Sequence, residues 1–332
     1  MNIRLKRCGL AALAAIALLT GGRASALDRV TLGTDWRAEA EHGGYYQAIA
    51  EGLYAERGIE VVLRQGGPQV SQSQLLAAGR LDFAVVSNSF LPLNFTKEKI
   101  PMVAVAAFFQ KDPTVLIAHR SAGYASLAGL KGKPIMIGGD TRVGWWLFLK
   151  ARFGFSDDQI RPYTFNTAPF LANPQAIQQG YLTSEPFLIE QAGGDPQVFL
   201  LADAGYASYG SIIETSQKLA RDNPDLVRRF VDATIEGWRD YLHADNKTAN
   251  QLIKKDNPEQ TDAILAYALA KMKSEGIVDS GDAKTLGIGA MTDARWKDFF
   301  DVMAKQGVYP ASLDWKQAYT LRFVDHGVGL KP

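Results

Sequence analysis

Cysteine is almost missing from this 332-residue sequence, and its scarcity removes whole classes of chemistry. The single cysteine, Cys8, falls in an N-terminal segment that reads as a cleavable leader. The remainder offers no disulfide, no thiolate metal site and no cysteine nucleophile. Histidine is scarce as well. His42, His119, His243 and His326 are the four, and none pairs with another histidine or a glutamate at HExxH spacing. No GxSxG elbow occurs. No phosphate-binding loop occurs either, because Gly132-Lys133 runs into proline and no glycine stands five residues before Gly132. The nearest approach to a dinucleotide fingerprint, Gly287-Ile288-Gly289, has threonine at 292 and no strand before it. There is no low-complexity tract and no block of like charge. These absences point away from an enzyme and away from a bound cofactor or metal.

The first residues differ in kind from the rest. Arg4, Lys6 and Arg7 form a basic start, Cys8 to Thr20 is apolar, and Ala24-Ser25-Ala26 is a small-residue cleavage site. That pattern is a secretory signal peptide over residues 1–26, too short in its apolar run to stay as a membrane anchor. The protein is therefore expected in the periplasm. Losing Arg4, Lys6, Arg7 and Arg23 shifts the net charge from +1 to about −3. A near-neutral exported chain has no electrostatic reason to hold nucleic acid or anionic lipid.

What is present is an α/β pattern. Val30 to Leu63 reads as strand, loop, helix and strand. The helix carries Tyr46, Ile49, Ala50 and Leu53 at spacings of three and four, and Gly58 stops it. Trp36 follows the first strand, where open α/β sheets bind ligands. Leu81 to Val86 is a second strand with Ser87-Asn88-Ser89-Phe90 at its end. Met102 to Phe109 and Thr114 to Ala118 are apolar runs separated by Lys111-Asp112-Pro113, which suits a crossover between domains. A second α/β region starts near Leu127. In it Ile135 to Ile137 is a strand, Gly138 to Thr141 leads into a helix over Val143 to Phe153, and Arg161 to Phe165 is a strand. Pro174 to Gln179 reads as helix, Tyr181 to Pro186 as a strand ending at Glu185, Phe187 to Ala192 as helix, and Val198 to Ala202 as a strand. From Glu214 the pattern becomes mostly helical. Asn223-Pro224 is a cap, and Val227, Val231, Ile235, Trp238 and Leu242 lie on one buried face. The tail Tyr319 to Val324 adds a strand or wraps over one.

The expected layout is two lobes with a hinge: residues 28–115 plus 206–332 as the first, and 116–205 as the second. The chemistry on offer is aromatic and small polar, and it sits at strand ends of both lobes. Trp36 and Phe90 belong to the first lobe and Glu185 to the second. Gly138, Gly139 and Thr141 supply backbone donors at a helix start, suited to a carboxylate, sulfonate or carbonyl oxygen. Each residue also has a plainer role open to it. Trp36 and Trp238 suit packing, Glu185 a surface charge, and His42 and Asp140 helix caps. Of Trp145 and Trp146, adjacent on one helix, at most one faces a cleft.

Four segments carry a family resemblance: the Asp35-Trp36 loop with HGGYYQAIAEGLYAERGIEV, LLAAGRLDFAVVS, LKGKPIMIGG and QGYLTSEP. Together they resemble the exported substrate-binding proteins of ABC importers. The branch is the one similar to thiamine-pyrimidine synthases and pyrimidine-precursor binders, with sulfonate- and nitrate-binding proteins as neighbours. The resemblance implies a two-lobed, type II periplasmic binding protein fold that closes on a small ligand. It implies as partners an ABC permease and its ATPase, with the binding protein a monomer. Trp36 matches the aromatic after the first strand in pyrimidine binders, and Glu185 the acid that contacts a ring amino group. Ser87, Asn88 and Phe90, with Gly138, Gly139 and Thr141, match cleft loops, and His42 joins the ligand-binding candidates. The implied ligand is a small heteroaromatic of the pyrimidine thiamine-precursor type. The alternatives are a sulfonate, nitrate or an aromatic acid. A synthase-like enzyme is the alternative of another class, and a sensor that presents its ligand to a receptor is a third. The synthase branch relies on a cysteine-rich motif that is absent here.

Overall fold

A computed structural model describes residues 26–68 and 70–330. The expected signal peptide, apart from Ala26, lies outside the described residues. The first four strands are β1 (Asp28–Gly33), β2 (Ile59–Arg64), β3 (Phe83–Val86) and β4 (Met102–Phe109). The chain then crosses to β5 (Thr114–His119), β6 (Ile135–Ile137), β7 (Ile160–Pro162), β8 (Ile177–Tyr181) and β9 (Pro196–Leu200). It returns as β10 (Gly210–Ser216).

These strands form two five-stranded mixed sheets, ordered β2-β1-β3-β10-β4 and β7-β6-β8-β5-β9. The two sheets share one plan. Three strands run parallel, and the fourth runs antiparallel to both neighbours. In each sheet that fourth strand, β10 or β5, is the one that has just crossed over. It pairs with the strand by which the chain leaves, so both crossovers lie side by side. The result is the two-lobed α/β architecture expected from the sequence.

Arg295, in the first turn of the helix Asp293–Lys305, ties the two crossovers together. Its guanidinium donates to the carbonyls of Ala207 at 3.1 Å, Ser208 at 3.0 Å and Gln110, and stacks 4.0 Å from the Tyr209 ring. Lys111 adds an ion pair to Asp203 at 3.0 Å, again between the two segments.

The longest helix, Pro224–His243, starts at an Asn223 cap whose side chain accepts from the Leu226 N–H at 3.3 Å. Its buried face includes Trp238 and Tyr241, which pack as core. The helix Gly43–Ala50 lies directly on that face. A Cβ on Gly44 would fall 2.2 Å from the Trp238 ring, and one on Gly43 would fall 2.1 Å from Tyr241. The glycine pair after His42 is therefore a packing device. It seats the helix and fixes the loop before it.

Several sequence expectations are corrected. Pro174 to Gln179 is not a helix. Its last three residues belong to β8, where Gln178 and Gln179 alternate across the sheet, and the helix lies earlier, at Ala168–Ala172. The strand expected over Tyr181 to Pro186 ends at Tyr181, and Glu185 opens the helix Glu185–Gln191 with Pro186 in its first turn. Strand β10 falls where a helical region was expected to begin. The tail adds no strand; Tyr319 makes one isolated bridge to Ala104. β10 also contains Glu214, which is fully buried between Ala84 and Ala104 on the flanking strands. Neither of its carboxyl oxygens has a hydrogen-bond partner, and burial pushes its pKa up to about 8.

Candidate functional site

The loop after β1 is built to hold its residues still. Thr34 Oγ1 donates to the Trp36 carbonyl at 2.7 Å, and the Gly66 N–H reaches the same oxygen at 3.1 Å. Gln65 Oε1 accepts from Ala38 N at 2.7 Å, and Asn257 donates to the Ala38 carbonyl at 2.8 Å. A short 3₁₀ turn, Ala40–His42, then leads into the helix at Gly43. This presents Asp35, Trp36, Glu39 and Glu41 to a cavity of about 230 Å³ between the lobes.

The opposite wall comes from the second sheet. Gly138, Gly139, Thr141, Trp145, Phe165, Gln179, Tyr181, Ser184 and Glu185 line it, while Ser87, Asn88 and Ser211, with apolar Pro68, Val70, Leu91 and Phe109, add to the near side. The lobes touch across it. The Trp36 and Phe165 rings lie 4.4 Å apart, tilted by 48°. Thr183 Oγ1 donates to Glu41 in a buried contact. Phe165 holds a left-handed backbone, φ 58°, which a bulky residue adopts only when its surroundings enforce it. Its ring packs on Tyr163 at 4.9 Å and fills the space beside Gly138, where a Cβ would meet it at 2.8 Å.

Glu185 is gripped by the chain. Its Oε2 accepts from Tyr181 N at 2.7 Å and Ser184 Oγ at 2.8 Å, and its Oε1 from the Tyr163 phenol at 3.4 Å. Burial raises its pKa despite these donors. Burial also raises Glu41, partly offset by the Thr183 bond. Glu39 is raised well above the usual carboxylate range, first by burial and then by Glu41, Glu185 and Asp35. Among the described residues, no lysine, arginine or histidine lines the cavity.

Of the residues singled out by sequence, Trp36, Ser87, Asn88, Gly138, Gly139, Thr141 and Glu185 come together around this space. Two do not. His42 is buried behind the loop and bonds Asp35 Oδ1 through Nε2 at 2.9 Å, so it supports a lining carboxylate and touches no ligand space. Phe90 lies fully in the core, edge-on to Phe299 at 5.0 Å and near Tyr206 and Tyr309, because it begins a helix whose apolar side faces inward. The donors expected at Gly138 to Thr141 are partly taken: Gln179 Oε1 accepts from Gly138 N at 2.7 Å and Thr141 Oγ1 at 2.9 Å. Trp145 lines the cavity, whereas Trp146 is core and donates to Asp157 at 3.0 Å. Sequence reasoning missed Glu39, Glu41, Tyr163, Phe165 and Gln179. The run of acids Asp35, Glu39 and Glu41 around a strand-end tryptophan was the available signal for the first two.

Comparison with known proteins accords with this geometry. The periplasmic aliphatic sulphonate binding protein SsuA of Escherichia coli superposes with a TM-score of 0.65 at 14% identity, over 88% of this chain and 91% of that one. That likeness shows the fold, the periplasmic binding protein fold. In sequence the chain is similar to the riboflavin-binding protein RibY of Chloroflexus aurantiacus, 27% identical over 91% of this chain and 87% of that protein. It is also similar to the 4-amino-5-hydroxymethyl-2-methylpyrimidine phosphate synthase of Legionella pneumophila, 26% identical over 63% of this chain and 68% of that enzyme. The profile of one family matches residues 39–249, a span running from the cavity carboxylate Glu39 to just past the long helix, and the chain belongs to that NMT1/THI5-like family.

Proposed function

We propose that the protein is the extracytoplasmic solute-binding component of an ABC importer, and that it captures a small heteroaromatic molecule of the pyrimidine thiamine-precursor type between its lobes. The observation that carries this reading is the cavity whose facing walls bring Trp36 and Phe165 into contact, with Glu185 beside them. A flat ring that parts these two touching rings replaces their mutual contact with contacts to its own faces, and its amino hydrogens find Glu185 held in place by Tyr181, Ser184 and Tyr163. The volume of about 230 Å³ lies below the roughly 300–1,000 Å³ of drug-sized pockets, which favours a one- or two-ring molecule.

The lobes divide at the paired crossovers, near 110–113 and 201–209, and rotate about them. Ligand contacts on both walls favour the closed form, which a permease then reads. The mature chain acts in the periplasm as a monomer, with an ABC permease and its ATPase as partners. Sulfonate, nitrate and aromatic acids suit the cavity less, because no cation lines it. The 27% identity with a riboflavin-binding protein over most of both chains supports a second reading, a flavin, which requires a wider cleft than this closed one.

Thermal shift and calorimetry across 4-amino-5-hydroxymethyl-2-methylpyrimidine, riboflavin, alkanesulfonates, nitrate and benzoate test the reading. A pyrimidine that raises Tm by several degrees and binds one to one supports it. Binding of only sulfonate or nitrate overturns the ligand class.

A further inference from the structure

Glu39 stands out among the cavity residues because everything acting on it is unfavourable to its charge. Burial comes first, and three more carboxyl groups line the same cavity and act against its charge: Asp35 from the same loop, Glu41 from the 3₁₀ turn and Glu185 from the opposite wall. The other three have partners. Asp35 has His42, Glu41 has Thr183, and Glu185 has Tyr181, Ser184 and Tyr163. The cation closest in sequence, Arg37, turns outward to Glu259 at 3.2 Å. Among the described residues no group of His, Cys, Asp and Glu has an arrangement that holds a metal ion. Its raised pKa favours the neutral form, and a cation on the organic ligand is the group that would stabilise Glu39 in its ionised form.

We propose that Glu39 is the residue that sets ligand charge, so that the cleft takes a flat ring carrying a positive charge or only N–H and O–H donors, and rejects the phosphorylated form of the same ring. This rests on the heteroaromatic reading above and adds the charge class to it. A cationic ring that parts Trp36 and Phe165, now in contact, gains from an aromatic face as well as from Glu39 on the same cavity wall. A phosphate in the same space meets four carboxylates in a partly dry cavity and no lysine or arginine.

The test is calorimetric titration of the purified chain with matched probes. One pair is 4-amino-5-hydroxymethyl-2-methylpyrimidine and its phosphate ester. The other is 4-aminopyrimidine and its ring-N-methylated, permanently cationic form. A charge-assisted hydrogen bond of about 1.5–3 kcal/mol corresponds to roughly 10- to 100-fold in Kd. The expected result is a cation preference of that size over the neutral ring and a still larger loss for the phosphate. Glu39→Gln should bring the cation and the neutral ring to within about threefold, with an apo Tm no lower than the parent. Equal binding of the phosphate and its parent ring overturns the proposal and leaves the heteroaromatic reading standing. A full cation preference retained in Glu39→Gln does the same. If none of the four rings binds, both fall together.

Discussion

Replacing Glu214 with glutamine should stabilise the protein at neutral pH and leave it unchanged in acid. The carboxyl is fully buried in β10 with neither oxygen partnered, and its folded pKa of about 8 stands above the ordinary 4.5. A carboxyl raised in this way gives up its proton on unfolding. Its contribution to stability is complete below the unfolded pKa and is lost progressively as pH rises from about 4.5 to about 8. At about 1.4 kcal/mol per pH unit, the loss relative to acid is about 3 kcal/mol at pH 7 and approaches about 5 kcal/mol above pH 8. Those figures are ceilings. Glutamine has nearly the same shape and does not titrate, so the variant escapes this loss. The other titrating groups cancel in the difference between the two proteins. For a chain of roughly 300 residues, about 3 kcal/mol corresponds to about 5 °C in Tm. Calorimetric scans of parent and Glu214→Gln at pH 4, 5.5, 7 and 8 provide the assay. The Tm gap should open from near zero at pH 4 to several degrees in favour of the variant at pH 7 and 8. A gap that stays constant across the series, or a variant less stable at pH 8, would refute the reasoning. Either outcome means that Glu214 is charged in the fold and has a donor.

Four further outcomes are expected. Trp36→Ala and Glu185→Ala should each abolish ligand binding by calorimetry while circular dichroism stays that of the parent; normal binding by either variant removes that residue from the site. Arg295→Met should lower Tm by several degrees and shift small-angle scattering toward a more open average shape. It deletes charge-assisted bonds to both crossovers, each of about 1.5–3 kcal/mol before non-additivity. Gly44→Ala should cost about 1–3 kcal/mol in urea unfolding, because its new methyl group overlaps the Trp238 ring. Affinity for a cationic ring should rise with pH through the raised range of Glu39, as its proton leaves and the repulsion from Asp35, Glu41 and Glu185 is relieved by the ligand; a flat profile counts against the charge assignment.

The sequence was most informative where local patterning and tertiary packing agree. The opening strand, the apolar strands β3 to β5 and the Asn223-capped helix carry periodicities that a buried face requires, and the structure places them accordingly, whereas the helix expected to run on to Gly58 is broken at left-handed Gly52 into Gly43–Ala50 and Leu53–Glu56, with Ile49, Ala50 and Leu53 only half-buried. It misled where a strand is rich in polar residues. In β8 the residues Ile177-Gln178-Gln179 read as the end of a helix, yet Gln179 is needed there to accept from Gly138 and Thr141, and Gln178 is buried beside Tyr163. In β10 a glutamate interrupts the apolar run, and only the flanking strands make it a core position. Half the cavity was legible in Trp36, Ser87, Asn88 and the glycine loop at 138. Phe165 was not, because its approach to Trp36 depends on a left-handed backbone in a loop that no periodicity describes. Phe90 looked like a cleft residue for being aromatic at a strand end. Whether such a residue faces the cleft or the core depends on the direction of the helix it starts.

Gly210 and Phe109 are direct register partners on β10 and β4, so the chain leaves the first sheet and re-enters it at adjacent positions. The hundred residues between them form a cassette with both ends at one point. Exchanging that cassette for the corresponding segment of a relative replaces Phe165, Gln179, Tyr181 and Glu185 together, while Trp36, Glu39 and Glu41 remain with the parent. The hydrogen-bond ladder of the first sheet is untouched by such a graft. Recombination at a single hinge can therefore combine one wall's charge with another wall's shape, a short route by which a fold of this plan acquires a new cargo.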